Sequence, residues 1–250
     1  MGDKIVKIVE TAKPLALKNA YNVRDIGYYC NREGEKLKEG HFLRADSLSR
    51  LTPEDWQALK KYGVVSIVDL RSPEECTREP FDLQAAGDIF YDSIPLFDHI
   101  QSNDGTQAFP RSLHALYIHL LDHSSGQIAV VLRNFLKNRE GCHLFNCTAG
   151  KDRTGVIAML LLGLADVDEE TIVADYSTSA ENMEPVFAGQ IQAMQKAGHG
   201  AMSFLLKSEP EDMRLTLAHI HHKYGSIRSY LTGILSEDEV DQLRSMLVAS

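Results

Sequence analysis

The stretch Cys142-His143-Leu144-Phe145-Asn146-Cys147-Thr148-Ala149-Gly150-Lys151-Asp152-Arg153-Thr154-Gly155 decides how this chain is read. Cys142 to Phe145 is a short run of the kind that is buried on both faces of a parallel sheet. Thr154 to Leu164 is apolar and reads as a helix. A turn that leaves a strand and enters a helix N-terminus gathers backbone N–H groups and the positive end of a helix dipole on one spot, which suits an anion. Gly150 permits the tight loop. The planar guanidinium of Arg153 can hold two oxygens in fork geometry. The same field favours the thiolate of Cys147 and so sets a nucleophile on the floor of the turn. Chance places Cys, Gly, Arg and Gly at this spacing in on the order of one chain in a thousand, so coincidence is a poor account of it.

Outward from this turn, β-like runs alternate with helical patterns. Gly34 and Gly40 punctuate two short candidate strands within 27–45. Thr52-Pro53-Glu54-Asp55 carries an N-cap, a first-turn proline and early acids, opening a helix to Lys61. Val64 to Leu70 is an apolar, β-branched strand, and a further short strand spans Ile89 to Leu96. Asp98 to Arg111 lacks periodicity and reads as a long loop of the lid or substrate-contacting kind. Helical stretches follow at Ser112–Leu121 and Gln127–Asn138, and everything after Asp168 is helical in pattern. Ser208 with Glu211 and Ser236 with Glu239 have capping-box spacing. The expectation is a single α/β domain over 1–250. A central, mostly parallel sheet flanked by helices spans 14–166, and a helical addition spans 168–250.

Composition narrows the function. The chain has 250 residues, long enough to bury a full core, and a net charge of −9 that argues against a nucleic-acid partner. A local basic pocket on an acidic protein can still take an anionic substrate. The longest apolar run, Val156 to Leu164, is about half a membrane span, and the first residues lack an apolar signal core. A cytoplasmic protein without an integral membrane segment is expected. Cys30, Cys76, Cys142 and Cys147 show no metal-ligand spacing and read as reduced thiols. Cys142 and Cys147 should face opposite sides of their strand, which disfavours a redox pair. His219, His221 and His222 bunch without a matching carboxylate or cysteine pattern and read as surface residues.

The segment Cys147-Thr148-Ala149-Gly150-Lys151-Asp152-Arg153-Thr154-Gly155 resembles the signature loop of a bacterial family of cysteine-dependent tyrosine phosphatases. The resemblance extends to Asn22-Val23-Arg24-Asp25-Ile26-Gly27, Phe42-Leu43-Arg44-Ala45-Asp46, Val68-Asp69-Leu70-Arg71-Ser72, Ala174-Asp175-Tyr176 and Tyr224-Gly225-Ser226, covering about residues 14 to 248. It implies a tyrosine-phosphatase-like fold and hydrolysis of phosphotyrosine, with phosphoserine, phosphothreonine or phosphoinositides as further substrates. One departure stands out. The family usually has histidine before the cysteine, whereas this chain has Asn146, which predicts a less stabilised thiolate and lower intrinsic activity.

The expected chemistry is in-line attack by Cys147 on phosphorus, with the loop from Thr148 through Ala149, Gly150, Lys151, Asp152 and Arg153 holding the phosphoryl oxygens. A general acid must protonate the leaving alcohol. The resemblance implies Asp152. Asp98, after Ile94-Pro95-Leu96-Phe97, is the second candidate, and Asp69 a third that reads better as a hydrogen-bonding residue. Thr154 could hydrogen-bond the sulfur as it departs from the phosphocysteine. Lys151 could meet a second anionic group, which the resemblance links to phosphoinositides, or stand in solvent. Arg24, Asp25 and Arg71 could line the site or form core ion pairs. The arginine and the amides neutralise the phosphate, so neither metal nor cofactor is implied. Other readings are a lipid or small-molecule phosphatase, a phosphate-binding pseudophosphatase, and a rhodanese-like sulfur transferase. The Arg153-Thr154-Gly155 helix opening fits the last of these poorly.

Overall fold

The computed structural model describes residues 9–96, 112–137, 140–196 and 200–248. Strands β1 (Arg24–Asp25), β2 (Phe42–Ala45), β3 (Val64–Asp69), β4 (Phe90–Ser93) and β5 (Cys142–Asn146) form one sheet in the order β1-β2-β5-β3-β4. β2, β5, β3 and β4 run parallel, and only β1 is antiparallel to its neighbour. Helix α1 (Pro53–Tyr62) links β2 to β3, α2 (Pro73–Arg78) and α3 (Leu83–Ala86) follow β3, and α4 (Leu113–His123) and α5 (Ser125–Leu136) precede β5. α6 (Arg153–Leu164) leaves the loop after β5. Next come α7 (Glu169–Asn182), α8 (Glu184–Lys196), a 3₁₀ segment at Gly200–Leu206, α9 (Pro210–Tyr224), α10 (Ile227–Thr232) and α11 (Glu237–Leu247). The mixed five-stranded sheet with flanking helices is the expected α/β class.

Alternation along the strands separates two apolar layers. Phe42, Val68 and Phe145 join a large cluster with α4–α7 and α9–α11. Leu43, Ile67 and Leu144 join a smaller one with Trp56 and Leu59 of α1. Cys142 lies in the small cluster and Cys147 in the large one, on opposite sides of the sheet. The C-terminal helices therefore share one core with the sheet. α6 is apolar on nearly every side and buried from Thr154 to Leu162. Each buried leucine there stabilises by ~1.5–3 kcal/mol, so the helix end that faces the loop is firmly held.

Several boundaries differ from the sequence reading. α1 starts on a Thr52–Asp55 capping box and stops at Gly63, left-handed at φ 99°. Ser236 and Glu239 make the expected box. Ser208 and Glu211 do not: Pro210 takes the first helical position of α9, Glu209 becomes the N-cap, and no side chain caps the helix. The strand expected over 89–96 is regular only at Phe90–Ser93. Beyond it Ile94 and Leu96 still bond to Asp69 and Leu70, but Pro95 has no N–H to continue the ladder. α2 and α3 are additional. The expected loop with Asp98 falls in 97–111, outside the described residues.

Candidate active site

The carboxyl ends of β2, β5 and β3 meet at Asn146, which is paired with Ala45 on one side and Asp69 on the other. In open parallel sheets this edge is where ligands bind. Residues 147–152 leave the sheet here and run into α6. Gly150 sits at φ 63°, and a Cβ would lie 2.5 Å from the Ala45 carbonyl oxygen, so glycine is required.

The orientation of the loop is set from behind. Thr148 O accepts from Ser47 N at 3.1 Å. Ala149 O accepts from Asn22 Nδ2 at 2.9 Å, and Gly150 O accepts from Asn22 Nδ2 at 3.1 Å and Arg44 Nη2 at 2.7 Å. In a planar trans peptide the N–H points opposite to the C=O. Three carbonyls drawn outward therefore turn the N–H groups of Ala149, Gly150 and Lys151 toward the loop interior. Among the described residues those three N–H groups meet no protein acceptor, which leaves them as donors of the kind that make an anion nest.

Behind these carbonyls lies a buried charge cluster. Arg24 Nε pairs with Asp175 Oδ1 at 2.9 Å, Arg44 Nη1 pairs with Asp175 Oδ2, and Tyr29 donates its hydroxyl to the same carboxylate at 2.8 Å. Burial alone would raise the Asp175 carboxyl, but the two guanidinium groups outweigh it and hold it down to about 2. Two cations on one anion leave an excess positive charge behind the loop.

Cys147 lies at the floor, only 1% exposed. Arg153, at the first position of α6, turns toward Glu75 of α2: Nη1 meets Oε2 at 2.5 Å and Nη2 meets Oε1 at 2.8 Å. Thr148 also donates its hydroxyl to Glu75 Oε1. A carboxylate thus occupies the two-oxygen fork that the sequence reading reserves for a phosphoryl group. Burial would raise the Glu75 carboxyl, yet the Arg153 bonds and charge bring it down to about 2. The Glu75–Arg153 contact raises Arg153 in turn, against the effect of its burial.

Asp152 has its side chain 25% exposed, and Oδ1 accepts from Tyr117 of α4 at 2.5 Å and contacts Lys151 Nζ at 2.9 Å. Lys151 does not stand in solvent. It is buried, and Nζ donates to the carbonyls of Leu205 at 2.9 Å and Lys207 at 2.6 Å, tying the loop to the segment after α8. Thr154 Oγ1 is buried and has no hydrogen-bond partner among the described residues. Asp69 holds Arg71 at 2.8 Å and accepts from Asn146 Nδ2 at 3.3 Å. Arg24 and Arg71 both sit in buried ion pairs, and Asp25 accepts from the backbone of Gly27 and Gly40. His219 contacts Asp122 and His221 contacts Glu169.

Three contributors escape a reading of the sequence alone. Ser72 and Glu75 carry capping-box spacing and do cap α2, a visible sign, but nothing local announces that Glu75 also reaches Arg153. Tyr117 sits in an apolar helical stretch without any signal. Asp175 is visible only through the family block around it.

A model of the tyrosine phosphatase family matches residues 15–249. A tyrosine-protein phosphatase of Nostoc commune is 37% identical over 221 residues, spanning 82% of this chain and 74% of that protein. The triple specificity protein phosphatase PtpB of Mycobacterium tuberculosis is 26% identical over 281 residues, spanning 93% of this chain and 98% of that protein. A match over nearly the whole length, on a sheet whose carboxyl edge carries a cysteine, an amide nest and an arginine, places the chain in the tyrosine phosphatase family.

Proposed function

We propose that this phosphatase acts on phosphotyrosine in proteins, with phosphoserine and phosphothreonine as slower substrates, through a phosphocysteine on Cys147. The observation that carries the reading is the outward turn of the Thr148, Ala149 and Gly150 carbonyls, which leaves three N–H groups facing the interior of the loop. A phosphoryl group there would meet the amides and guanidinium with its equatorial oxygens, in line with Cys147 below. The Cys147 thiolate forms the S–P bond as the P–O bond breaks, and the departing oxygen takes its proton from the Asp152 carboxyl. Water then attacks phosphorus, Asp152 takes its proton back, and the S–P electrons return to sulfur, with Thr154 Oγ1 as the hydrogen-bond donor to it. Asp98 is the alternative acid.

Substrate class follows from what the loop leaves available. The Lys151 ammonium is engaged by Asp152 and two carbonyls, so a second phosphate on an inositol ring would have to break those bonds to use it. That favours a single phosphomonoester over a phosphoinositide. Four free thiols suit a reducing cytoplasm. Among the described residues no helix is long and apolar enough to cross a membrane. We read 1–250 as one catalytic unit, because α9–α11 pack into the same cluster as β5.

The test is turnover of p-nitrophenyl phosphate, then of phosphotyrosine, phosphoserine and phosphoinositide substrates, by the protein and by Cys147→Ser. Turnover lost in the serine variant, with phosphotyrosine peptides leading the panel, is the expected result. A wild-type protein that binds phosphopeptides without releasing phosphate is instead a capture module, and one that prefers phosphoinositides overturns the substrate class.

A further inference from the structure

An aspartate at the N-cap of a helix ordinarily turns its carboxylate back onto the first N–H groups of that helix. Asp152 occupies the N-cap of α6 and makes no such bond. Its Oδ1 is drawn instead to the hydroxyl of Tyr117, at 2.5 Å, and to Lys151 Nζ, at 2.9 Å. Tyr117 belongs to α4, is fully buried, and stands 2.8 Å hydroxyl to hydroxyl from Tyr176 of α7, itself 1% exposed. The two rings meet edge to face with centroids 5.8 Å apart. Burial pushes both phenols far above their ordinary range, so each stays neutral and keeps a proton to donate. Bookkeeping of donors then fixes the direction. Tyr117 gives its proton to Asp152 Oδ1, and its oxygen accepts the proton of Tyr176. Among the described residues Oδ2 is in no hydrogen bond.

We propose that Tyr117, supported by Tyr176, is a positioning residue that fixes the Asp152 carboxyl so that Oδ2 faces the oxygen leaving phosphorus. The inference rests on the reading of Asp152 as the general acid. Anchorage on two helices other than its own removes the side-chain freedom that a partly exposed aspartate would otherwise have, which is what a proton donor at a reacting atom requires. The tyrosines touch no substrate. They act through the carboxylate alone.

General-acid assistance matters most for poor leaving groups, so leaving-group dependence separates positioning from mere packing. The experiment measures kcat/KM for a series of aryl phosphates, from 2,4-dinitrophenyl through p-nitrophenyl to phenyl phosphate, in the wild type, Tyr117→Phe, Tyr176→Phe and Asp152→Asn. Asp152→Asn should lose ~10²–10³-fold on phenyl phosphate and far less on the dinitrophenyl ester. Tyr117→Phe should show the same tilt at about tenfold on phenyl phosphate, and Tyr176→Phe the same tilt at a few-fold. Adding Tyr117→Phe to Asp152→Asn should change nothing further. A uniform loss in Asp152→Asn removes the acid reading itself. A tilted Asp152→Asn beside a flat Tyr117→Phe leaves that reading standing and overturns the positioning role. Should Tyr117→Phe fail to fold, a flat Tyr176→Phe overturns it equally.

Discussion

The back and the mouth of the phosphate loop are built differently. At the back, Asn22, Arg24, Arg44 and Asp175 are buried, and their bonds run to one another, to the loop carbonyls and to Tyr29, Ser179 and Asn182. At the mouth, the Glu75 and Asp152 side chains are 20% and 25% exposed, and the Glu75 carboxylate holds Arg153, which the proposed chemistry needs at the phosphate. Removing one member of a buried set leaves an unpaired charge, whereas a rim carboxylate can turn to water. The back therefore sets geometry, and at the mouth Glu75 must give up its partner to the phosphate. Mutations on the two sides should differ in kind: loss of fold behind the loop, altered anion affinity in front of it.

The largest effect is expected from Asp175→Asn, which strands two guanidinium groups in the interior. Breaking a buried pair of this type costs about 3–5 kcal/mol, a large part of the ~5–15 kcal/mol that holds a domain together. Urea unfolding should show the midpoint collapse. A shift below ~1 kcal/mol would mean that the back of the loop is as adaptable as its mouth.

The same carboxylates predict acid behaviour. Asp175 and Glu75 are both held down to about 2 in the folded chain, below the ordinary carboxyl values they regain on unfolding. Depressed folded values mean that the unfolded chain binds more protons in this range. Their stabilisation is thus complete above about pH 5 and is lost as pH falls toward 2. Melting temperature measured between pH 6 and 2 should fall steeply below 4, and Asp175→Asn and Glu75→Gln should each flatten that slope.

At the mouth, Glu75→Gln removes the anion that shares the Arg153 fork with any phosphoryl group. Charge-assisted bonds contribute ~1.5–3 kcal/mol, and part of this is recovered by the amide. Inhibition by inorganic phosphate should tighten by roughly tenfold, with a smaller fall in melting temperature than Asp175→Asn brings. Weaker inhibition would show that Glu75 steadies Arg153 for the phosphate and does not compete with it.

What was legible in the sequence follows the same division. The loop could be read because its chemistry is contiguous: one strand, one turn and one helix start carry the cysteine, glycine and arginine. β3 and β5 could be read because both faces are covered, which leaves apolar runs in the sequence. The mouth could not. Glu75 meets Arg153 from 78 positions away and Tyr117 meets Asp152 from 35, and no local pattern encodes a partner that folding brings in. α2 and α3, of six and four residues, are too short to show a period. The burial of Lys151 was hidden for a related reason. A lysine in a turn can be read as solvated until the carbonyls after α8 are known to close over it.

The smallest effect concerns Asn146, where this chain departs from the histidine usual in the family. Asn146 is fully buried at the junction of the three parallel strands, its Nδ2 shared between Asp69 at 3.3 Å and the Cys147 carbonyl at 3.5 Å. Its Oδ1 is buried without a donor among the described residues. The Asp69 carboxylate is also bound to Arg71. An imidazole at this point would have that carboxylate to donate to and could carry a positive charge on the residue before the cysteine, where the amide brings only a dipole. Asn146→His should therefore speed inactivation by iodoacetate at pH 6 by a few-fold, with stability changed by no more than about 1 kcal/mol. Unchanged alkylation would mean that the excess charge of Arg24 and Arg44 already sets the field at the sulfur, and that position 146 belongs wholly to the rigid back of the loop.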